Sequence, residues 1–103
     1  LRALAAQPGI DLFYNEADDM LIGCARAVRA AGSKARLIGV GGSKLAIASL
    51  KAGAVDGTVC FKPEALGALV FEALHRKSDA PRFRTYPIPA VTQASVDQCV
   101  GQW

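Results

Sequence analysis

Three short clusters hold the residues able to do chemistry: Asn15-Glu16-Ala17-Asp18-Asp19, Gly39-Val40-Gly41-Gly42-Ser43-Lys44 and Cys60-Phe61-Lys62-Pro63. Paired carboxylates such as Asp18 and Asp19 can run acid–base chemistry. Here they fall at a predicted helix start, where capping and the helix dipole account for both. Asn15 and Glu16 precede that helix on a turn and are placed to meet a ligand. A glycine turn between strand and helix can cradle phosphate, but the chain has neither GxGxxG nor GxxxxGK[ST]. Asp56 falls at the start of its strand, whereas a ribose-binding acid belongs at the far end. The glycines permit a tight turn, and their bare backbone lets a ligand approach. Phe61, ending a strand, can stack on a ligand or plug the core. Lys62 can neutralise an anion or point to water.

Catalysis and metal binding find little support. His75 falls near a helix C-terminus, where a cation suits the dipole, and no nucleophile pairs with it. One histidine and no CxxC make no usual zinc set. The three cysteines are odd in number and widely spaced. Cys24 on a helix beside Ile22, Ala25 and Val28, and Cys60 ending an apolar strand, read as small buried hydrophobes rather than redox or metal groups. The chain is therefore expected to be no enzyme and to carry no metal or cofactor.

The elements that must position these clusters alternate. Apolar runs Ile10–Tyr14, Ala35–Val40 and Val55–Phe61 predict strands, and helices follow from near Asp18, Ser43 and Pro63. Such alternation implies parallel strands with their turns at one sheet edge. The turns Asn15–Asp19, Gly41–Lys44 and Phe61–Glu64 should then converge on one crevice. Asp18 and Ser43 read as N-caps, Gly32 and Gly53 as helix ends, and Leu1–Ala6 as the last turns of an earlier helix. The predicted buried stripes are Met20, Leu21, Cys24, Ala27, Val28 and Ala31; then Leu45, Ile47 and Leu50; then Leu66, Leu69, Val70, Ala73 and Leu74. Arg82–Val91 carries Pro87 and Pro89, which suits an edge strand or a crossing segment. A last short helix capped by Ser95 puts Val96, Cys99, Val100 and Trp103 on one face that needs a partner.

Composition bounds the class. With 103 residues, 51% hydrophobic and 20% charged, the chain reads as a folded domain or part of one. No apolar run is long enough to span a bilayer. The net charge of +3 is spread out. The groups His75-Arg76-Lys77 and Arg82 with Arg84 make no dense basic face, so nucleic acid is not an expected partner. The start, Leu1-Arg2-Ala3-Leu4, has neither methionine nor signal-peptide character, so a processed chain or a segment of a longer one is expected.

A family resemblance then emerges. Asp18-Asp19-Met20-Leu21-Ile22-Gly23-Cys24-Ala25, continuing to Ala30-Ala31-Gly32, resembles the N-D-E-M-A-L-G-A-x-x-A-L-x-x-A-G stretch of periplasmic sugar-binding proteins of ABC transporters, of ribose- and galactose-binding type. Leu37-Ile38-Gly39-Val40-Gly41-Gly42-Ser43 is similar to their V-V-G-F-D-G-T/S. Leu50-Lys51-Ala52-Gly53 with Asp56-Gly57-Thr58-Val59 resembles I-x-x-G-x-x-x-A-T-V. Phe61-Lys62-Pro63 through Gly67 resembles Q-x-P-x-x-x-G, and Tyr86-Pro87-Ile88-Pro89-Ala90-Val91-Thr92 resembles Y-P-V-P-x-V-T. The likeness runs in order along nearly the whole chain but covers only the C-terminal part of such a protein.

What the resemblance implies is an α/β fold: a three-layer, doubly wound parallel sheet of the type I periplasmic-binding-protein lobe, present in part. Residues 1–103 would be mostly the second lobe, with 86–103 a hinge crossing and terminal helix and the N-terminal lobe missing. The implied function is the receptor of an ABC importer, in the periplasm or exported and membrane-anchored after signal-peptide removal. Its partners would be a sugar, polyol or sugar derivative and a membrane permease. The alternative is the effector-binding core of a LacI-type regulator, which shares the pattern. The candidate ligand-binding residues are Asn15, Glu16, Ala17, Asp18, Gly41, Gly42, Ser43, Phe61 and Lys62; the resemblance itself carries over the positions of Ala17, Gly41 and Phe61, and Asn15, Glu16, Ser43 or Lys62 would supply replacement polar contacts.

Three of these depart from the family pattern. Ala17 stands for an Asn, Gly41 for an Asp and Phe61 for a Gln. A buried hydroxyl without its partner loses about 1–3 kcal/mol, against a total of about 8 kcal/mol for micromolar binding. The expected ligand is therefore less hydroxylated on this side, or larger, filling the room at Gly41 and stacking on Phe61. Alone, the segment should expose a sheet edge and the Val96–Trp103 face, and should dimerise, swap a strand or aggregate.

Overall fold

The computed structural model describes residues 2–76 and 83–101. Parts of the expected first helix (Leu1), basic cluster (Lys77), extended segment (Arg82) and last helix (Trp103) lie outside those residues. In chain order the elements are α1 (Arg2–Ala6), β1 (Leu12–Tyr14), α2 (Asp18–Ala30), β2 (Arg36–Gly41), α3 (Lys44–Lys51), β3 (Gly57–Cys60), α4 (Pro63–Arg76), β4 (Ala90–Thr92) and a 3₁₀ helix (Gln93–Gln98). The sheet order is β1-β2-β3-β4. The first three strands run parallel, with Tyr14 opposite Ile38 and Gly41 opposite Cys60. β4 closes the sheet antiparallel to β3, with Val91 opposite Thr58. The fold is thus α/β around a parallel core, as the alternation requires, and the returning edge strand makes the sheet mixed. Pro87 and Pro89 precede that strand rather than interrupt it, and the Pro89 carbonyl accepts the Cys60 N–H at 2.8 Å.

The helix ends follow local rules with two exceptions. Ser43 caps α3, its Oγ accepting the Ala46 N–H at 3.2 Å. At the end of α2 the Gly32 N–H reaches the Arg29 carbonyl and the Ser33 N–H reaches that of Val28, and α3 closes by the same pair of bonds around Gly53. The first exception is Asp18. The N-cap of α2 is Ala17, with extended backbone and no side-chain cap bond, and Asp18 is the first helical residue. The second is Ser95: the N-cap of the 3₁₀ helix is Thr92, and Ser95 is the third helical residue, whose Oγ closes the capping box by accepting the Thr92 N–H at 3.0 Å.

The core gathers Leu21, Ala25 and Val28 from α2, Leu37 from β2, Ile47 and Leu50 from α3, and Val55, Cys60, Val91, Val96 and Cys99. Ala31, the C-cap of α2, is exposed, and two further predicted stripe residues of α2 and α3, Met20 (52% exposed) and Leu45, face outward. Each is one position off the stripe its helix buries, where Leu21 and Ala46 turn inward. Gly39 lies under α2 with no room for a side chain: a Cβ there would sit 2.6 Å from Leu21 Cδ2 and 3.0 Å from Asp18 Oδ1.

Two expectations are reversed. Val96 and Cys99 are buried in this core, so that half of the predicted face is partnered within the chain, while Val100 stays 76% exposed and Trp103 lies outside the described residues. Among the described residues the barest face belongs instead to α4, which buries none of its residues; Phe71 is 64% and Leu74 70% exposed. Glu72 links α4 to the returning segment through Arg84 at 3.0 Å, and within the helix it pairs with Arg76, one turn on, at 2.9 Å. The hydrogen bond and charge of Arg84, with the charge of Arg76, hold the Glu72 carboxyl below its ordinary range. That contact is therefore complete above the unfolded-state value and lost as pH falls through the lowered one. The outlying helix also stretches the molecule. Its radius of gyration is 16.9 Å, against about 13 Å for a compact domain of this length.

Two outcomes follow from this packing. Gly39→Ala should destabilise the fold by about 1–3 kcal/mol, through displacement of Leu21, measured by urea unfolding. Residues 1–103 expressed alone should self-associate in light scattering. Changing Val70, Phe71 and Leu74 to Glu should reduce that association, and a monodisperse unsubstituted monomer would contradict the reading of α4.

Candidate functional site

Parallel strands β1, β2 and β3 end at Tyr14, Gly41 and Cys60, and the three chemistry-bearing clusters follow them. The turns meet, and hydrogen bonds hold them together. The Asn15 N–H reaches the Ile38 carbonyl at 2.8 Å, joining the first turn to β2, and the Phe61 N–H reaches the Gly41 carbonyl at 3.0 Å, joining the third to the second. The central tie is the Asp18 carboxylate, only 4% exposed. One oxygen accepts the Ser43 N–H at 2.7 Å and the other accepts the Thr58 hydroxyl at 2.9 Å. Asp18 therefore does not cap its own helix. Its first-turn position aims it across the sheet end, where one side chain satisfies a donor on the second turn and one on β3.

The structure sorts the predicted site residues into two groups. Asn15 turns its amide back onto the Phe13 and Ile38 carbonyls at 3.4 and 3.3 Å. Ser43 is buried, its hydroxyl occupied by α3 and its N–H by Asp18. Gly42 is buried too, with φ +74, and a Cβ there would lie 2.9 Å from Cys99 Sγ and 3.0 Å from Cys60 Cα. These residues build the site's frame. Ala17, Gly41 and Phe61 are half-buried at the sheet end, and Glu16 and Lys62 are exposed. A recess of about 250 Å³ lined by Cys60, Lys62, Glu64, Ala65, Gln98 and Val100 opens beside Phe61. A larger cleft of about 700 Å³ lies at the other end of the strands, among Leu4, Pro8, Ile10, Asp11 and Lys34. Ligands of open α/β sheets sit at the strands' C-terminal ends, so the smaller recess is the one on the functional side.

Sequence reasoning missed two parts of this frame. Thr58 was visible only as a strand residue; nothing in its spacing announces a partner forty positions away. Cys60 and Cys99 form a disulfide, which corrects the reading of Cys60 as a small hydrophobe, while Cys24 keeps its thiol. Both sulfurs are buried, as expected of hydrophobes, and burial alone does not tell a thiol from a bridge. Among the described residues no cluster of His, Cys, Asp and Glu could hold a metal ion.

With this geometry established, likeness to known proteins becomes specific. Residues 1–80 match the family described as periplasmic binding protein domain, and the chain belongs to that family. It is 34% identical over 70 residues to the ribose import binding protein RbsB of Bacillus subtilis and 30% identical over 66 residues to that of Haemophilus influenzae. These stretches are 68% and 64% of this chain but 23% of each relative. A periplasmic solute binding protein of an ABC transporter from Actinobacillus succinogenes, solved with bound D-allose, superposes with TM-score 0.83 and 26% identity over 94% of this chain and 36% of that one. A Mycobacterium smegmatis structure in complex with β-D-fucofuranose shares the fold at TM-score 0.72 and 24% identity, over 94% of this chain and 34% of its own. The chain thus spans about a third or less of the proteins it matches.

Asp18→Ala would strand the Ser43 N–H and the Thr58 hydroxyl, each costing about 1–3 kcal/mol. A double-mutant cycle of Asp18→Ala with Thr58→Val should return a coupling of about 0.5–3 kcal/mol in urea unfolding. Additive losses would mean that the bond contributes nothing.

Proposed function

We propose that this chain is the C-terminal part of the solute receptor of an ABC importer, which closes two lobes on a small carbohydrate-like ligand and releases it chemically unchanged. The observation that carries this reading is the convergence of the three turns at the C-terminal ends of parallel strands, pinned by Asp18, on a chain of the periplasmic binding protein family. Relatives named for ribose import, and a structural neighbour holding D-allose, support a sugar or sugar derivative as ligand and a membrane permease as partner. The disulfide supports an exported, oxidising location such as the periplasm, and so weighs against a cytosolic LacI-type regulator. The bare face of α4 supports placing that helix on the missing lobe. The chain would cross to it after Phe61 and return through 83–89, before the terminal segment.

The mouth itself narrows the ligand. Ala17, Gly41 and Phe61 offer no side-chain partner to a hydroxyl. The Asn15 and Ser43 side chains already have partners within the frame, Asn15 on carbonyls of the first two strands and Ser43 at its helix cap. Glu16 and Lys62 remain as polar side chains, and Phe61 as a stacking surface. A ligand presenting an apolar or ring face to this lobe fits better than a plain pentose or hexose hydroxylated all round.

The test is a thermal-shift series on the complete protein with sugars, polyols and sugar acids. A ligand at a hundred times its Kd should add about 2.7 kcal/mol to stability. Phe61→Ala should then weaken the best binder by roughly tenfold, the loss of about 1 kcal/mol of stacking with some buried area. Strong stabilisation by plain ribose or glucose would contradict the narrowed ligand class, and turnover of any sugar would contradict the receptor.

A further inference from the structure

The disulfide sits against the candidate mouth rather than in a remote part of the core. Cys60 ends β3 in register with Gly41, and Phe61 follows it directly. Its partner Cys99 lies against Gly42, whose missing side chain would overlap both sulfurs' surroundings. Two residues on, Gly101 lies over the first turn of α3: a Cβ there would be 2.8 Å from the Lys44 N and Cα atoms. Residues 99–101 thus cover the back of the Gly41–Lys44 turn. In the described backbone, their nearest tether besides the disulfide is the Cys99 N–H bond to the Val96 carbonyl at 3.0 Å. The β1–β2 ladder and the Asp18 bonds involve neither cysteine, and the β2–β3 ladder reaches Cys60 only in its last pair, with Gly41.

We infer that the Cys60–Cys99 disulfide is a positioning device for the mouth. It clamps residues 99–101 onto the Gly41–Lys44 turn and fixes the strand end that presents Phe61, so that binding is strong in the oxidised protein and weakened on reduction. The chemistry is ordinary exchange. A thiolate of an added dithiol attacks one sulfur and forms a mixed disulfide; its second thiol then closes onto the first, releasing Cys60 and Cys99 as thiols, with two electrons and two protons supplied by the dithiol. Once released, 99–101 no longer backs the turn, while the Asp18–Thr58 bond and the β1–β2 ladder are left in place. The loosening is therefore local. The affinity arm rests on the ligand-binding reading; the backbone arm does not.

The experiment compares oxidised and dithiothreitol-reduced complete protein in a Cys24→Ser background, which prevents reshuffling. Backbone amide exchange is read at 41–43 and 61, with 36–39 as the internal reference, and D-allose and D-ribose are titrated into both forms. On reduction, exchange at 41–43 and 61 should rise about tenfold or more while 36–39 stays protected, and any sugar bound by the oxidised form should bind about tenfold more weakly through lost pre-organisation. A Cys60→Ala/Cys99→Ala variant should reproduce the reduced pattern. If neither sugar binds the oxidised form, that narrows the ligand reading and the exchange pattern alone decides the clamp. Unchanged exchange at 41–43, or a rise spread evenly over β1, β2 and β3 including outright unfolding of the reduced protein, would overturn it.

Discussion

The Asp18 carboxylate accepts one hydrogen bond from the Ser43 backbone and one from the Thr58 hydroxyl, at 2.7 and 2.9 Å, in a setting almost closed to water. A buried carboxylate is tolerable only when its lone pairs are satisfied, so the two donors must be delivered together. That requirement fixes the start of α2 relative to the turn before α3 and to the middle of β3. It also explains why Gly39 carries no side chain, since a Cβ there would crowd Asp18 and Leu21. The common mouth is therefore a consequence of one anion's need for partners as much as of strand direction.

Around that tie, hydrogen-bonding capacity is divided in a way that suits the proposed receptor role. The frame residues spend their hydrogen-bonding capacity on one another: Asn15 on strand carbonyls, Ser43 on its helix and on Asp18, Phe61 N–H on Gly41. A rigid rim costs less entropy when a ligand arrives than a rim that must first be ordered. The disulfide adds a covalent link to the same frame. By closing a loop with sequence separation 39, it restricts the unfolded chain, a contribution of about 2–4 kcal/mol in the loop-entropy picture.

Much of this was legible in the sequence because it was written at short range. Strand–helix alternation, the Ser43 cap and the glycine closures at Gly32 and Gly53 each depend on neighbours within a few residues, and the structure agrees with them. The resemblance located the family from motifs spread along the chain. What could not be read was long-range pairing. Asp18 has the local signature of a cap, and only the packed sheet reveals that its partners lie 25 and 40 residues away. Cys60 and Cys99 look like any small apolar residues until the 3₁₀ helix brings them together. The stripe of α4 is apolar as expected, but amphipathic spacing states that a face must be covered and never by what; the same reasoning groups Val96, Cys99 and Val100 on one face, of which the first two are buried in the core and Val100 is exposed.

The Glu72–Arg84 contact carries one more consequence. It joins α4 to the returning segment, so the outbound and inbound strands of the connection are latched to each other away from the sheet. A helix latched in this way travels as a unit with both of its tethers. Any swing of α4 relative to the sheet would fall on the few residues between Cys60 and Pro63 and on those leading into Ala90, and the ion pair favours both stretches bending in step.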